Sequence, residues 1–243
     1  MASQVPPQHI STNAVSSVIA SVPSLSQIDQ LLEALRPFHL LSHKFYQDWM
    51  EGKITPRQLK TYATQYYHHV EAFPRYLSAV HSQTENPLAR RILLENLNDE
   101  EGLSHGVPHP ELWLQFAEGM GASRSEVQCS AQGPAIGQVI ANFFTQARTS
   151  AARGLGALFS YEYQIPEIAE SKIQGLRERY FVTDARSLAF FEVHREADVH
   201  HREALAKIIS SIDPDEFKQE TLPAAKETAQ ALWNFLTEMQ AVA

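Results

Sequence analysis

From about Leu25 onward the apolar positions of this chain recur at helical spacing, as in Leu31, Leu32, Leu35 and Phe38, then Leu41, Phe45 and Trp49. No stretch alternates apolar and polar residues as a half-buried strand does. Thr55-Pro56 and Asn86-Pro87 each place a capping side chain before a proline at the first helical position, and Asp184 is a further N-terminal cap. Gly52, Gly102, Gly121 and Asp213-Pro214 read as stops. The pattern predicts an all-α bundle of seven or eight helices, at about 26–51, 56–83, 87–101, 110–120, 134–148, 150–179, 184–211 and 218–241. Pro37, Pro74 and Pro166 fall inside three of these spans, where the missing N–H kinks a helix and widens a bundle core into a pocket.

Composition narrows the chemistry. A chain of 243 residues suits one domain, expected at 25–243, with the Ser, Pro and Val-rich residues 1–24 as a disordered tail. That tail lacks the basic start and long apolar core of a signal peptide. The lone cysteine, Cys129, excludes an intramolecular disulfide and thiolate-rich metal sites, so any bound metal must use nitrogen and oxygen donors. A net charge of −8 without a basic stripe argues against nucleic-acid binding. No apolar run is long enough for a membrane span, and the expected protein is soluble and cytoplasmic, with a homodimer as its default assembly.

The densest candidate chemistry is His194-Arg195-Glu196-Ala197-Asp198-Val199-His200-His201. At about 100° per residue, His194, Asp198 and His201 fall within roughly 60° of one another on one helix face. Two imidazoles and a carboxylate suit iron, manganese or zinc. Metal sites in helical bundles draw inward-facing carboxylates and histidines from several helices. Glu100 and Glu162 are candidates for the opposite side. Glu162 interrupts the small, apolar and aromatic run from Gly154 to Tyr163, where an unpaired carboxylate is costly. His109 or His105 can complete the set, and His109 is favoured because it opens a helix and is fixed in space, whereas His105 lies in a glycine-flanked loop and is less well held.

Charged neighbours leave a plainer reading open, because Glu192, Arg195, Arg202 and Glu203 make Asp198 and the histidines fit a solvated, salt-bridged face. His68, His69 and His81 sit among Tyr62, Tyr66, Tyr67, Phe73 and Tyr76, which favours an aromatic core or pocket wall. Gly154-Leu155-Gly156 lacks the full dinucleotide fingerprint and reads as close helix packing.

Several segments carry a family likeness: Phe45-Tyr46-Gln47-Asp48-Trp49, the run Tyr66 to His81, Asp99-Glu100-Glu101-Gly102 and Tyr161-Glu162-Tyr163-Gln164-Ile165-Pro166. In order through nearly the whole chain, they resemble the CADD-type proteins (Chlamydia protein associating with death domains) of the TenA/PqqC group, which have a haem-oxygenase-like fold. The resemblance implies a dinuclear site, Fe/Fe or Fe/Mn, held by Glu100, His109, Glu162, His194, Asp198 and His201. It implies use of molecular oxygen and an external reductant to make para-aminobenzoate for folate. In that route a tyrosine of the protein is the ring source and a lysine the nitrogen donor. Here these are Tyr46 and Lys172, with Tyr62 and Tyr161 as further tyrosines beside the site.

The chain departs from the pattern in a longer Glu100-to-His109 loop, which contains His105. Cys129 has no base beside it, which speaks against the cysteine-dependent hydrolysis of TenA. The alternatives are a PqqC-like oxidase of a diffusible quinone precursor and a non-enzymatic interaction module.

Overall fold

The structure, a computed structural model, describes residues 25–103 and 106–242, and of residues 196–198 the backbone alone. The expected tail, residues 1–24, and His105 lie outside the described residues, as does the side chain of Asp198. Among the described residues there is no strand. The chain runs through α1 (Gln27–Leu35), α2 (Lys44–Met50), α3 (Pro56–Gln83), α4 (Pro87–Glu100), α5 (His109–Gly119), α6 (Arg124–Gln128) and α7 (Pro134–Thr149). It continues through α8 (Ala151–Glu162), α9 (Ile165–Arg179), α10 (Ala185–Ile209), α11 (Pro214–Glu216) and α12 (Leu222–Gln240).

Local chemistry sets these limits. Thr55 and Asn86 cap α3 and α4 with their side chains, and Asp184 caps α10. Gly52, Gly102 and Gly121 have φ of +72°, +74° and +85°, the left-handed turn that ends a helix. Gly154 and Gly156 let helices touch: a Cβ on Gly156 would lie 2.3 Å from the Thr221 carbonyl oxygen, and one on Gly154 2.4 Å from Val80 Cγ2.

Three expected helices are divided. The span 26–51 breaks into α1, two 3₁₀ turns (Arg36–Phe38 and Leu40–Ser42) and α2. Pro37 cannot donate to the preceding turn, and the chain then extends at His39, where Leu40 N–H turns to Gln164 Oε1 at 2.9 Å. The His43 ring accepts from Phe45 N–H and starts α2, a cap that apolar periodicity does not reveal. The span 150–179 divides at Tyr163-Gln164 because Pro166 sits in the first turn of α9 and starts a helix instead of kinking one. Gln164 bridges the break by donating to the Ser160 carbonyl at 3.1 Å. The last span opens with a π-turn, Phe217–Thr221, ahead of α12. Of the three interior prolines, Pro74 alone stays inside a helix. α6, which the apolar periodicity does not predict, opens on a Ser123/Glu126 capping box of the Ser-x-x-Glu type.

α10 packs on α9 and α5, α3 on α4, α5 and α7, and α8 on α12 and α7. Their shared core is strongly aromatic, with Trp49, Tyr62, Trp113, Phe116 and Phe191 fully buried. No helix among the described residues is long and apolar enough to cross a membrane.

Candidate metal centre

Glu100 is the last residue of α4 and His109 the first of α5. The loop between them doubles back at Gly102, whose Cβ, if present, would lie 2.4 Å from the backbone of Val107 and Pro108. Only glycine fits there, and the reversal brings His109 Nδ1 to 2.9 Å from Glu100 Oε2. α10 supplies His194, whose ring centroid lies 4.4 Å from that of His109 and whose Nε2 lies 4.0 Å from Glu100 Oε1. One donor atom from each of these three side chains falls within 4.8 Å of the others, and all three residues are buried.

The donor set fits a metal. His194 Nδ1 donates to the Phe190 carbonyl at 2.7 Å, which fixes the tautomer and leaves the Nε2 lone pair toward Glu100. Burial above all, then the neighbouring His109, holds the His194 ring well below the usual imidazole range, so it is neutral and ligand-competent. A carboxylate and two neutral imidazoles without a thiolate suit iron, manganese or zinc.

α4 reaches two more of the candidates. Asn96 Nδ2 donates to Glu162 Oε1 at 2.9 Å, and Asp99 Oδ2 lies 3.0 Å from His201 Nε2. Asn96, Asp99 and Glu100 stand at i, i+3 and i+4, one stripe of the helix. Sequence reasoning singled out Glu100 and missed Asn96 and Asp99, although that spacing places them on its face. Glu100, His109 and His194 thus meet directly, and Glu162 and His201 are joined to the same helix.

Beside His194 lies a cavity walled by Tyr46, Tyr66, Tyr161, Lys172, Phe190 and Phe191. Its free space, about 10 Å³ to the centre of a water-sized sphere, admits roughly one water molecule. Lys172, from α9, is 4% exposed. Its Nζ lies 2.5 Å from the Tyr62 hydroxyl, which lies 3.2 Å from the Tyr46 hydroxyl. Burial brings the Lys172 ammonium down to about 7 and raises both phenols above their ordinary value. The amine also sits 5.2 Å from the Tyr46 ring centre.

The α3 histidines stand apart. His68 bonds the Ser130 hydroxyl at 2.8 Å. His69 is fully buried among the rings of Tyr66, Phe73, Tyr76, Phe143 and Tyr161, and burial brings it down to about 3.

A family model described as an iron-containing redox enzyme matches residues 60–233. The chain is 41% identical over 214 residues to a 4-aminobenzoate synthase of Chlamydia pneumoniae, across 87% of this chain and 94% of that one. It is 39% identical over 222 residues to a 4-aminobenzoate synthase of Nitrosomonas europaea, across 86% and 88% of the two chains. A TenA homologue from Pseudomonas syringae pv. tomato has a similar fold, with a TM-score of 0.78 at 17% identity over 93% of this chain and 98% of that one.

Proposed function

Since the chain belongs to the family of iron-containing redox enzymes, we propose that it is an oxygen-dependent oxidase that forms para-aminobenzoate, with Tyr46 as the ring source and Lys172 as the nitrogen donor. The observation that carries this reading is the unbroken chain from Lys172 Nζ through the Tyr62 hydroxyl to the Tyr46 hydroxyl, in a cavity that shares a wall with His194.

Glu100, His109 and His194 would hold iron, and Glu162, Asp198 and His201 are the donors proposed for a second ion, iron or manganese. With dioxygen and an external reductant, such a centre supplies oxidising equivalents. The remaining roles fall to the chain itself. Leu40, Ile165, Ile168 and Ala169 complete the apolar wall around the cavity and exclude water. Tyr62 holds the Tyr46 phenol and gives its proton a path to Lys172 Nζ when the Tyr46 ring loses an electron. Near pH 7 a large share of Lys172 is the free amine, which can accept that proton or act as a nucleophile. The Tyr46 ring is already part of the cavity wall, beside Lys172 and His194.

The test is protein carrying ring-labelled tyrosine, loaded with iron and given reductant and oxygen. The label should appear in para-aminobenzoate, and Tyr46→Phe should give none while taking up metal normally. Full product from Tyr46→Phe would sink the reading.

A further inference from the structure

The aromatic residues around Tyr62 form branches that end differently. Through Tyr66, whose ring centre is 5.4 Å away, one branch reaches Trp113 and then Phe116, Phe190 and Phe191. Phenylalanine is not oxidised at potentials where tyrosine and tryptophan are, so that branch stops inside the protein. Another runs through His69 to Tyr76 and Tyr161, all buried. A third passes from Tyr62 to Trp49, 5.9 Å between ring centres, and from Trp49 to Tyr180, 5.7 Å. Tyr180 is half-buried and reaches solvent. This chain of Tyr and Trp ring contacts leads from the cavity to the surface.

The elements along it are held tightly. Trp49 Nε1 donates to the Lys172 carbonyl at 3.4 Å, and Gly175 leaves room for the indole, since a Cβ there would lie 2.5 Å from Trp49 Cδ1. The Tyr180 hydroxyl donates to the Trp49 carbonyl at 3.1 Å and accepts from Ile54 N–H at 3.2 Å.

We propose that Trp49 and Tyr180 form a one-electron conduit between the buried Tyr46/Tyr62 pair and solvent. It returns a misfired ring to its starting state before the ring is damaged. A neutral phenoxyl on Tyr62 or Tyr46, formed with dioxygen as oxidant, takes one electron from the Trp49 indole and one proton from Lys172 Nζ. The indole radical cation takes one electron from Tyr180, whose phenolic proton passes to water. An external one-electron reductant such as ascorbate then restores Tyr180, with a proton from water. In sum one electron enters from the reductant, the proton that Lys172 Nζ took up when the phenol was oxidised returns to it, and the buried phenol is whole again. The source of the phenoxyl rests on the oxidase reading above, and the conduit itself does not.

Phenylalanine removes the redox step, keeping the ring at Tyr180 and giving up the indole hydrogen bond to the Lys172 carbonyl at Trp49, so Trp49→Phe and Tyr180→Phe are the informative variants. Tyr180→Phe is half-buried and keeps the test usable if Trp49→Phe folds poorly. In the iron-loaded protein exposed to oxygen, the tyrosyl radical seen by electron paramagnetic resonance should decay on adding ascorbate, and decay several-fold more slowly in both variants. Separately, metal-free full-length protein is photo-oxidised at its surface by ruthenium tris-bipyridine with a sacrificial acceptor. Peptide mass spectrometry should find oxidation at Tyr46 or Tyr62 in the parent and much less in the variants. Equal marking in parent and variants overturns the conduit, as does equal radical decay. Marking that depends on Trp49 and Tyr180 without any radical in the iron-loaded parent upholds the conduit and counts against the oxidase reading.

Discussion

Lys172 Nζ sits 2.5 Å from the Tyr62 hydroxyl in a pocket without a carboxylate in its wall, and burial lowers its pKa from 10.5 to about 7. The sign of the linked stability follows. Below about pH 7 the folded and unfolded chains both carry the proton, and the cost of burying the charge is felt in full. Between about 7 and 10.5 the unfolded chain binds a proton that the folded chain does not, so stability rises with pH across that window. Lys172→Met should therefore stabilise the protein by roughly a few kcal/mol at pH 6, with the gain shrinking toward pH 10. Urea unfolding at pH 6, 8 and 10 measures it, and a gain independent of pH would show that the amine is not desolvated. Product formation should rise with pH through about 7, and Lys172→Arg, which keeps its charge, should give none.

Ferrous iron added without oxygen should raise the melting temperature of the parent protein, because binding to the folded state alone stabilises by about 2.7 kcal/mol at a hundred times Kd. Glu100→Ala and His194→Ala each remove a donor from the buried cluster and should lose most of that shift. Asn96→Ala leaves the cluster intact and removes the hydrogen bond to Glu162, so metal affinity should fall by about 10–100-fold. Calorimetric titration checks these values. Unchanged affinity in Glu100→Ala and His194→Ala would mean that the three side chains are a structural polar cluster and not a metal centre.

The helical framework was legible because its signals are local. Thr55-Pro56, Asn86-Pro87, Gly52, Gly102 and Gly121 act through their own backbones and mark the ends the structure shows. The breaks at Pro37 and Gln164 were less legible, since a proline reads equally as a kink inside a helix or as the start of a new one, and the extension at His39 also rests on a distant partner: Leu40 N–H meets Gln164 Oε1 across 124 positions. In the candidate site, residues with costly side chains in apolar surroundings drew notice, as Glu162 did. Asn96 and Asp99 did not, because a polar residue on a half-exposed helix has no such mark until the neighbouring helix is in place. Tyr180 was invisible for the same reason, its connection to the cavity being made through the packing of α2 on α9.

Gly156 is a second case where a local residue answers to a distant one. A Cβ there would lie 2.3 Å from the Thr221 carbonyl oxygen and 3.2 Å from its Cα, which are backbone atoms that no rotamer change can move. Gly156→Ala should force α8 away from the π-turn before α12 and cost about 3 kcal/mol or more. Gly137→Ala is the control, as the nearest atom to its Cβ would be Gln132 Oε1 at 3.9 Å. Thermal unfolding of the two variants measures the difference, and equal stability would show that the α8 contact yields without strain.

Phe181 is the non-glycine residue with positive φ among the described residues, at +58°, and it is 84% exposed. It follows α9 at the position where the chain turns left-handed and Val182 N–H closes back on the Leu176 carbonyl at 2.9 Å. An L side chain in that conformation costs about 1–2 kcal/mol. Glycine removes the cost and adds unfolded-chain entropy of about 0.5–1 kcal/mol against it. Little packing is lost with so exposed a ring, so Phe181→Gly should stabilise by about 0.5–1 kcal/mol. Phe181→Ala keeps the strained φ and should gain nothing. Denaturant unfolding of the pair separates backbone strain from the loss of an exposed ring: equal gains in both variants would place the cost in the side chain and refute the strain.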